Sequence, residues 1–552
     1  MNWRALGATA LAVALTVPFA LPFAYLLVRN GQDLGGLWSA LSDDRLVGPL
    51  LRSLALGISV ALAAAVLGTS AAWLVARTQL RGRRIWALLL CLPLVIPSFV
   101  GAVALIAAFA PGGLVEDLLG IGWLPEVSGF RGAFIVLTLL TYPYVFLPVM
   151  ARLRGLPPSL EESARMLGRR PIEVFLTVVV PQARAAIAAG ALLVFLYVIS
   201  DFGAVQLLRY DTLTRAIYAD RLLDPITSIA LSLVLGLLAV AVVAMERRSS
   251  RVGLRDQARM GTPLMVPLRS GRIPAYLFLV LLIGFSLVAP IAVLVFWAIR
   301  GLANGSSDAT SVVADPGMII EPLLSTAGVS VLTAVVALLI ILPIAFRSVR
   351  RPGRLGEVLA GTVVGGFALP GLITALAFVF FTLSAPGPLG ALYQTLPLLV
   401  LAYVVHHGAL ALGAAQSAVA GVPARLDDAA RIMGKGRLRR FTGVELPLML
   451  PGLAAGAGLV LLSTAKELPA TLLLAPPGFS TLATKVWQAA ELAAYEEAAI
   501  YALVLVAISA ILTWFLVVRP ALRSWAVTPV TGTSSTGVDS PITSGHPEVT
   551  AP

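Results

Sequence analysis

Carboxylates recur at matched positions in two distant parts of this chain. Glu162 and Asp428 hold the same place in two charged stretches that align without a gap. The same offset separates Asp201 from Glu467, each toward the end of the apolar run that follows its charged stretch. A carboxylate in a membrane span is costly to bury and is by default a candidate for a substrate or ion path. We therefore predict that Asp201 and Glu467 lie on a transport path.

A structural interpretation of these carboxylates stays open. Counting about 1.5 Å per residue from residue 184 places Asp201 roughly 25 Å along its helix, close to the outer membrane surface. In that position the carboxylate is either solvated by the water at that face or paired with Arg209 or Lys466.

Other residues that could do chemistry are sparse. His406 and His407 are adjacent and so point to different sides of a helix, a poor geometry for one metal ion, which favours structural or pore-lining roles. The single cysteine, Cys91, excludes an intrachain disulfide and a multi-cysteine metal site. No loop joins a nucleophile to a base, and no Gly-x-x-x-x-Gly-Lys-Ser/Thr phosphate loop occurs. We predict no catalytic residue, no metal site and no cofactor bound by this chain.

The elements that position these residues are membrane helices. Of the 552 residues, 58% are hydrophobic and 12% are charged, and the mean hydropathy is +0.92. Soluble proteins carry about 25% charged residues, so the chain is an integral membrane protein in contact with lipid. The net charge of +12 comes from basic residues in short loops, which indicates membrane topology rather than nucleic-acid binding.

Twelve apolar runs are long enough to span a bilayer, which takes about 20 residues. They lie near 5–28, 52–76, 86–110, 132–152, 184–204, 226–246, 275–299, 324–346, 358–382, 392–415, 449–470 and 497–518. Every loop after an even-numbered run is rich in arginine, which predicts that these loops and both termini are cytoplasmic.

The chain divides into two parallel repeats of six spans, because an even number of spans returns the second half to the same side. We predict an all-α polytopic fold with a first repeat at 1–246, a cytoplasmic linker at 247–274, a second repeat at 275–527 and a disordered cytoplasmic tail at 528–552. The charged stretches lie in loops 157–181 and 423–447, between the fourth and fifth spans of each half.

Each charged stretch predicts a helix–turn–helix. In the first, Ser159 and Glu162 fit a capping box, Gly168 ends the short helix, and Pro171 begins the next one. Pro181 then marks a break before the next span. The cap is weaker in the second stretch, where Arg425 stands in place of Ser159.

Both stretches resemble the EAA motif of ABC-importer permeases. The positions that carry the resemblance are Glu162, Ser163, Ala164, Gly168 and Pro181 in the first half, and Asp428, Ala429, Ala430, Gly434 and Pro447 in the second. The resemblance implies a type I ABC-importer permease fold in which each short helix is a coupling helix that docks on an ATPase subunit. ATP and Mg would then bind to a partner ATPase dimer, and this chain would not be an enzyme.

The substrate follows from a second resemblance. The segments "SDFGAVQLLRYDTLTRAIY" and residues 463–487 resemble the fused two-repeat permeases of ferric-iron importers. This resemblance implies a bacterial plasma (inner) membrane location and an extracytoplasmic substrate-binding protein, which Arg209, Tyr210 and Asp211 could contact. Thiamine permeases share the fused architecture, so thiamine or another small solute remains the alternative cargo.

A secondary transporter independent of ATP is the alternative from a different class. It would also show two repeats, but it has no need for two matched helix–turn–helix motifs on one face. The sequence therefore favours the ABC permease.

Overall fold

The computed structural model describes residues 3–519 except for 34, 36–37, 40–43, 123, 157–158, 256–264, 269–270, 305–306 and 386. Within these residues the regular structure is helical, apart from one isolated bridge between Thr78 and Val266. The all-α prediction is therefore confirmed. The tail predicted at 528–552 lies outside the described residues, as do the central parts of the predicted linker.

Within the part of the chain that the structure describes, ten helices are long and apolar enough to cross a membrane. They are Thr9–Gln32, Leu46–Arg77, Gly129–Arg154, Phe175–Ser200, Pro225–Glu246, Arg272–Ala303, Gly317–Arg350, Leu396–Ala420, Arg437–Thr464 and Tyr495–Leu516. Two bent helix pairs bring the number to 12 if each pair is one span. The predicted count holds in that sense.

The third and ninth predicted spans are not straight. Arg83–Val95 meets Ser98–Phe109 at 89°, and Arg354–Ala368 meets Gly371–Ser384 at 101°. A proline stands at each break with an extended ψ, 148° at Pro97 and 143° at Pro370. Proline lacks the N–H that would continue the helix, so each break begins a new helix inside the bundle.

Short helices connect the spans. They are Leu114–Leu119, Ser159–Met166, Gly203–Leu207, Leu213–Asp220, Ser307–Ala314, Ala424–Ile432, Pro469–Leu474 and Leu482–Glu491, with a 3-10 turn at Gly387–Leu392. We call Ser159–Met166 the first motif helix and Ala424–Ile432 the second motif helix, because they carry the two repeated charged stretches.

The two halves are interlocked by their first spans. Thr9–Gln32 packs on helices of the second half, where Phe19 lies over Gly408 so closely that a Cβ there would be 2.5 Å from the ring. Conversely, Trp297 of Arg272–Ala303 donates its indole N–H to the Ala107 carbonyl oxygen of the first half at 2.8 Å. Each half therefore completes the core of the other, which favours one cooperative membrane unit.

The break predicted at Pro181 is wrong. Pro181 lies in a continuous helix that runs through a π turn, Phe175–Val179, into Val180–Ser200. Pro447 follows the π turn Phe441–Glu445 in the same way. A π turn replaces the i→i+4 backbone hydrogen bonds by i→i+5 bonds. The helix therefore continues through the proline, although proline has no N–H to donate.

Candidate functional site

The first motif helix ends in a Schellman motif. The N–H of Gly168 donates to the Arg165 carbonyl oxygen at 2.9 Å, and the N–H of Arg169 donates to that of Ala164 at 3.3 Å. Gly168 has φ 79°, a left-handed value that glycine adopts without strain. The predicted helix end at Gly168 is confirmed.

The second motif helix ends in the same way. Gly434 has φ 74°, and its N–H donates to the Arg431 carbonyl oxygen at 3.0 Å. The N–H of Lys435 donates to the Ala430 carbonyl oxygen at 3.1 Å. The two stretches therefore share backbone geometry as well as residue spacing.

Each motif helix has one buried face and one exposed face. Ala164 and Ala430 are buried, and the predicted site residues Glu162, Ser163, Asp428 and Ala429 are exposed. Both helices end on exposed apolar side chains in matched positions, namely Met166 and Leu167 in the first and Ile432 and Met433 in the second. Charged and apolar groups presented together on a short helix can be recognised by a soluble protein surface.

In each half, an arginine at the end of a membrane span contacts the motif helix or the residue just before it. Arg77 ends its span fully buried and forms an ion pair with Glu161, which is also buried. In the second half, Arg350 ends the corresponding span and donates a hydrogen bond to the Val422 carbonyl oxygen at 3.0 Å, just before the second motif helix. Each of these contacts joins a segment that carries a motif helix to the end of a span.

Sequence reasoning missed this connection. It selected Glu162 as the functional acid, whereas the neighbouring Glu161 is the buried one. The available signal was a run of two acids in the first helical turn, one of which must face inward on a helix that also buries Ala164.

A cavity of about 530 Å³ lies between the halves, where the two bent pairs meet. Its lining comes from both breaks, from the ends of the fifth and eleventh spans and from the fourth and tenth spans. Both predicted path residues, Asp201 and Glu467, line this cavity together with His406, His407 and Lys466.

The Asp201 carboxylate accepts three hydrogen bonds. One carboxylate oxygen accepts from the Ser98 hydroxyl, and the other accepts from the backbone N–H of Ala204 at 3.0 Å and of Val205 at 3.4 Å. The side chain thereby caps the short helix Gly203–Leu207. Neither basic residue named as a possible partner pairs with Asp201. Arg209 lies 3.8 Å from Glu126, and Lys466 donates to the Leu94 carbonyl oxygen at 3.1 Å.

The cavity that Asp201 lines extends into the bundle. Leu140, which lines the same cavity, is roughly 17 Å from Gly129 along the helix Gly129–Arg154, at about 1.5 Å per residue. The fifth span, Phe175–Ser200, ends directly before Asp201.

Glu467 has different neighbours. One carboxylate oxygen accepts from the Ala470 N–H at 3.2 Å, and the other lies 3.9 Å from His407 Nε2. The His406 and His407 rings are 4.6 Å apart between centroids. The expectation that adjacent histidines point apart was wrong, because a step of about 100° around a helix lets both rings reach one carboxylate that lies between them.

The predicted binding-protein contacts lie at the opposite end of the spans from Arg77. Arg209 is exposed, with φ 54°, and Asp211 accepts from Arg52 at 3.1 Å. Tyr210 packs edge-on against Phe130 and donates to the Arg52 carbonyl oxygen at 3.4 Å. Partial burial raises the pKa of Tyr210, so its phenol stays protonated at neutral pH.

One protein family matches both halves of the chain. The family described as "Binding-protein-dependent transport system inner membrane component" matches residues 50–251 and 337–519. Each match contains one motif helix and one of the two cavity carboxylates.

Three relatives illustrate the similarity. The Fe(3+)-transport system permease protein FbpB 2 of Haemophilus influenzae is 28% identical over 513 residues, covering 91% of this chain and 96% of the relative. The molybdenum transport system permease protein ModB of Mycobacterium tuberculosis is 29% identical and covers 42% of this chain and 89% of the relative. The putrescine transport system permease protein PotI of Escherichia coli is 33% identical, covering 34% of this chain and 70% of the relative.

Proposed function

Because this chain belongs to the family of binding-protein-dependent transport system inner membrane components and is the permease of an ABC importer, we propose that its cargo is ferric iron. The observation that carries the proposal is the alignment with the Haemophilus influenzae Fe(3+) permease, which extends over both halves of each chain. The molybdenum and putrescine relatives align over less than half of this chain.

The energy for transport would come from a separate ATPase dimer. Two motif helices with the same exposed apolar ends and the same glycine caps give one docking element for each subunit of such a dimer. ATP and Mg would bind to that dimer, since this sequence has no phosphate loop. The arginine connections at Arg77 and Arg350 would pass the movement of the motif helices to the spans.

The opposite face would receive an extracytoplasmic binding protein. Arg209, Tyr210 and Asp211 lie there, and the Arg52–Asp211 pair is half exposed. Positive charge in the loops after even-numbered spans supports a topology in which the motif helices and both termini are cytoplasmic, in the plasma (inner) membrane of a bacterial cell. The cavity with Asp201 and Glu467 would be the path between the two faces.

The test is to identify what accompanies the chain in native membranes. The tagged chain is purified after mild cross-linking, its partners are identified by mass spectrometry, and any co-purified binding protein is assayed for iron and thiamine. We expect an ABC ATPase together with an iron-loaded binding protein.

The outcomes separate the alternatives. Thiamine in the binding protein would overturn the iron assignment and keep the ABC mechanism. Failure to recover any ATPase, while a known ABC complex is recovered in parallel from the same membranes, would overturn the docking role of both motif helices. Uptake into proteoliposomes that proceeds without ATP would support a secondary transporter instead.

A further inference from the structure

We infer that His406, His407 and Glu467 form a binding site for a first-row transition-metal ion inside the cavity. One nitrogen of each imidazole and one carboxylate oxygen of Glu467 lie within 4.8 Å of one another. Two imidazoles and one carboxylate are a common donor set for iron, cobalt and zinc, and they leave coordination positions open for water or cargo ligands.

One candidate ligand atom lacks a hydrogen-bond partner. His407 is 5% exposed, and its Nε2 is buried without a hydrogen-bond partner. That nitrogen lies 3.9 Å from Glu467 Oε2, too far for a hydrogen bond. An ion with metal–ligand bonds of about 2.0–2.1 Å fits between two atoms at this separation. A buried polar atom without a partner is costly, so an ion would satisfy a group that the protein leaves unsatisfied.

Gly371 makes room for the site. A Cβ at this position would lie 2.9 Å from Glu467 Oε1 and 3.2 Å from His406 Nε2. Gly371 begins the second helix of its bent pair, so the break brings backbone without a side chain against both ligands. Its counterpart in the first half is Ser98, whose hydroxyl donates to Asp201. In the first half, the Ser98 hydroxyl therefore occupies the space next to the carboxylate, whereas in the second half Gly371 leaves that space open.

Lys466 limits the affinity of the site. It lines the same cavity and donates from Nζ to the Leu94 carbonyl oxygen at 3.1 Å. Its positive charge repels a nearby cation, and this repulsion is strong where water is scarce. The site is therefore suited to bind an ion weakly enough to release it. That the ion is cargo in transit rests on the proposed function, whereas the binding of an ion does not.

The experiment measures Co(II) binding by the purified full-length chain in nanodiscs, without ATPase or binding protein. The affinity tag contains no histidine. Co(II) is a spectroscopic probe, because its visible d–d absorption reports nitrogen and oxygen coordination, and elemental analysis after gel filtration gives the stoichiometry. We expect one Co(II) per chain.

Matched variants assign the ligands. His407→Ala and Glu467→Gln should each weaken Co(II) binding by at least about tenfold, since even the loss of a supporting residue costs that much in known metal sites. Lys466→Met should tighten it. His546→Ala removes the third histidine of the sequence, which lies outside the described residues, and should leave binding unchanged. Gly371→Val, which fills the site without removing a ligand, should abolish binding.

Two results would overturn the site. One is the absence of Co(II) binding to the wild-type chain at millimolar concentration, and the other is unchanged binding in folded His407→Ala and Glu467→Gln. If these two variants do not fold, as judged by gel filtration and circular dichroism, Gly371→Val decides. If the chain transports iron but does not bind Co(II), the metal site is refuted and the proposed function stands. If the chain binds Co(II) but its importer carries thiamine, the metal site stands and the proposed iron cargo is refuted.

Discussion

The two halves agree at the motif helices and differ at the cavity. Gly168 and Gly434 end their helices with the same hydrogen bonds and nearly the same φ. In the cavity, Asp201 is held by a hydroxyl and two backbone N–H groups, whereas Glu467 faces His407. The repeat is therefore symmetric where it would meet two equal ATPase subunits and asymmetric where it would meet one cargo ion.

The largest effect is expected from substitutions in the motif helices, where the two halves agree. Gly168→Pro and Gly434→Pro should each abolish transport and transport-linked ATPase activity, because proline fixes φ near −65° and removes the N–H of the cap. Membrane insertion, measured as the amount of chain in the membrane fraction, should not change.

The control for this prediction is asparagine, which tolerates left-handed φ better than other non-glycine residues. Gly168→Asn and Gly434→Asn should keep most of the activity. Wild-type coupling in either proline variant would refute the docking role, and loss in only one half would break the symmetry.

The next effect concerns the arginine connections. Glu161→Ala leaves the buried Arg77 charge unpaired and should destabilise the chain by roughly 3 kcal/mol or more. Arg350→Ala removes one hydrogen bond from a partly buried position and should cost only about 1 kcal/mol. Thermal unfolding in detergent compares the two, and equal shifts of the midpoint would show that Arg77 and Glu161 are not a buried pair.

A smaller effect should follow from making the two sides of the cavity alike. Gly371→Ser would place a side chain against Glu467 and His406, as Ser98 stands against Asp201. We expect iron uptake to fall roughly tenfold, since a displaced ligand loses about that much in metal affinity. Ser98→Gly is the reciprocal variant and should have a weaker effect. If Ser98→Gly reduces uptake more than Gly371→Ser, the cargo ion contacts the Asp201 side of the cavity and not the Glu467 side.

The smallest effect is expected for Asp201 alone. Asp201→Asn keeps an oxygen that can accept from the Ala204 N–H, so uptake should fall only about two- to threefold, the cost of weakening one cap. Glu467→Gln should reduce uptake more. The double variant should impair uptake while binding-protein docking, measured by surface plasmon resonance, stays normal. Unchanged uptake in the double variant would remove both residues from the path.

Sequence reasoning succeeded where a local pattern has one physical outcome. Runs of about 20 apolar residues can only lie in the bilayer, which gave the number of spans. Glycine after a short polar helix takes the left-handed conformation, which gave the ends at Gly168 and Gly434. The prediction of a break at Pro181 was wrong because a π turn, like a break, accommodates the missing N–H of proline.

The sequence alone determined the class of the protein, the two parallel repeats and the register of the motif helices, because hydropathy, charge and caps act within a few helical turns. Only the tertiary structure decided the contact of Asp201 with Ser98, the burial of Glu161 against Arg77 and the meeting of His407 with Glu467. Each of these depends on how helices distant in sequence bend and pack, and a side chain's neighbours across such an interface leave no periodic signal in its own segment.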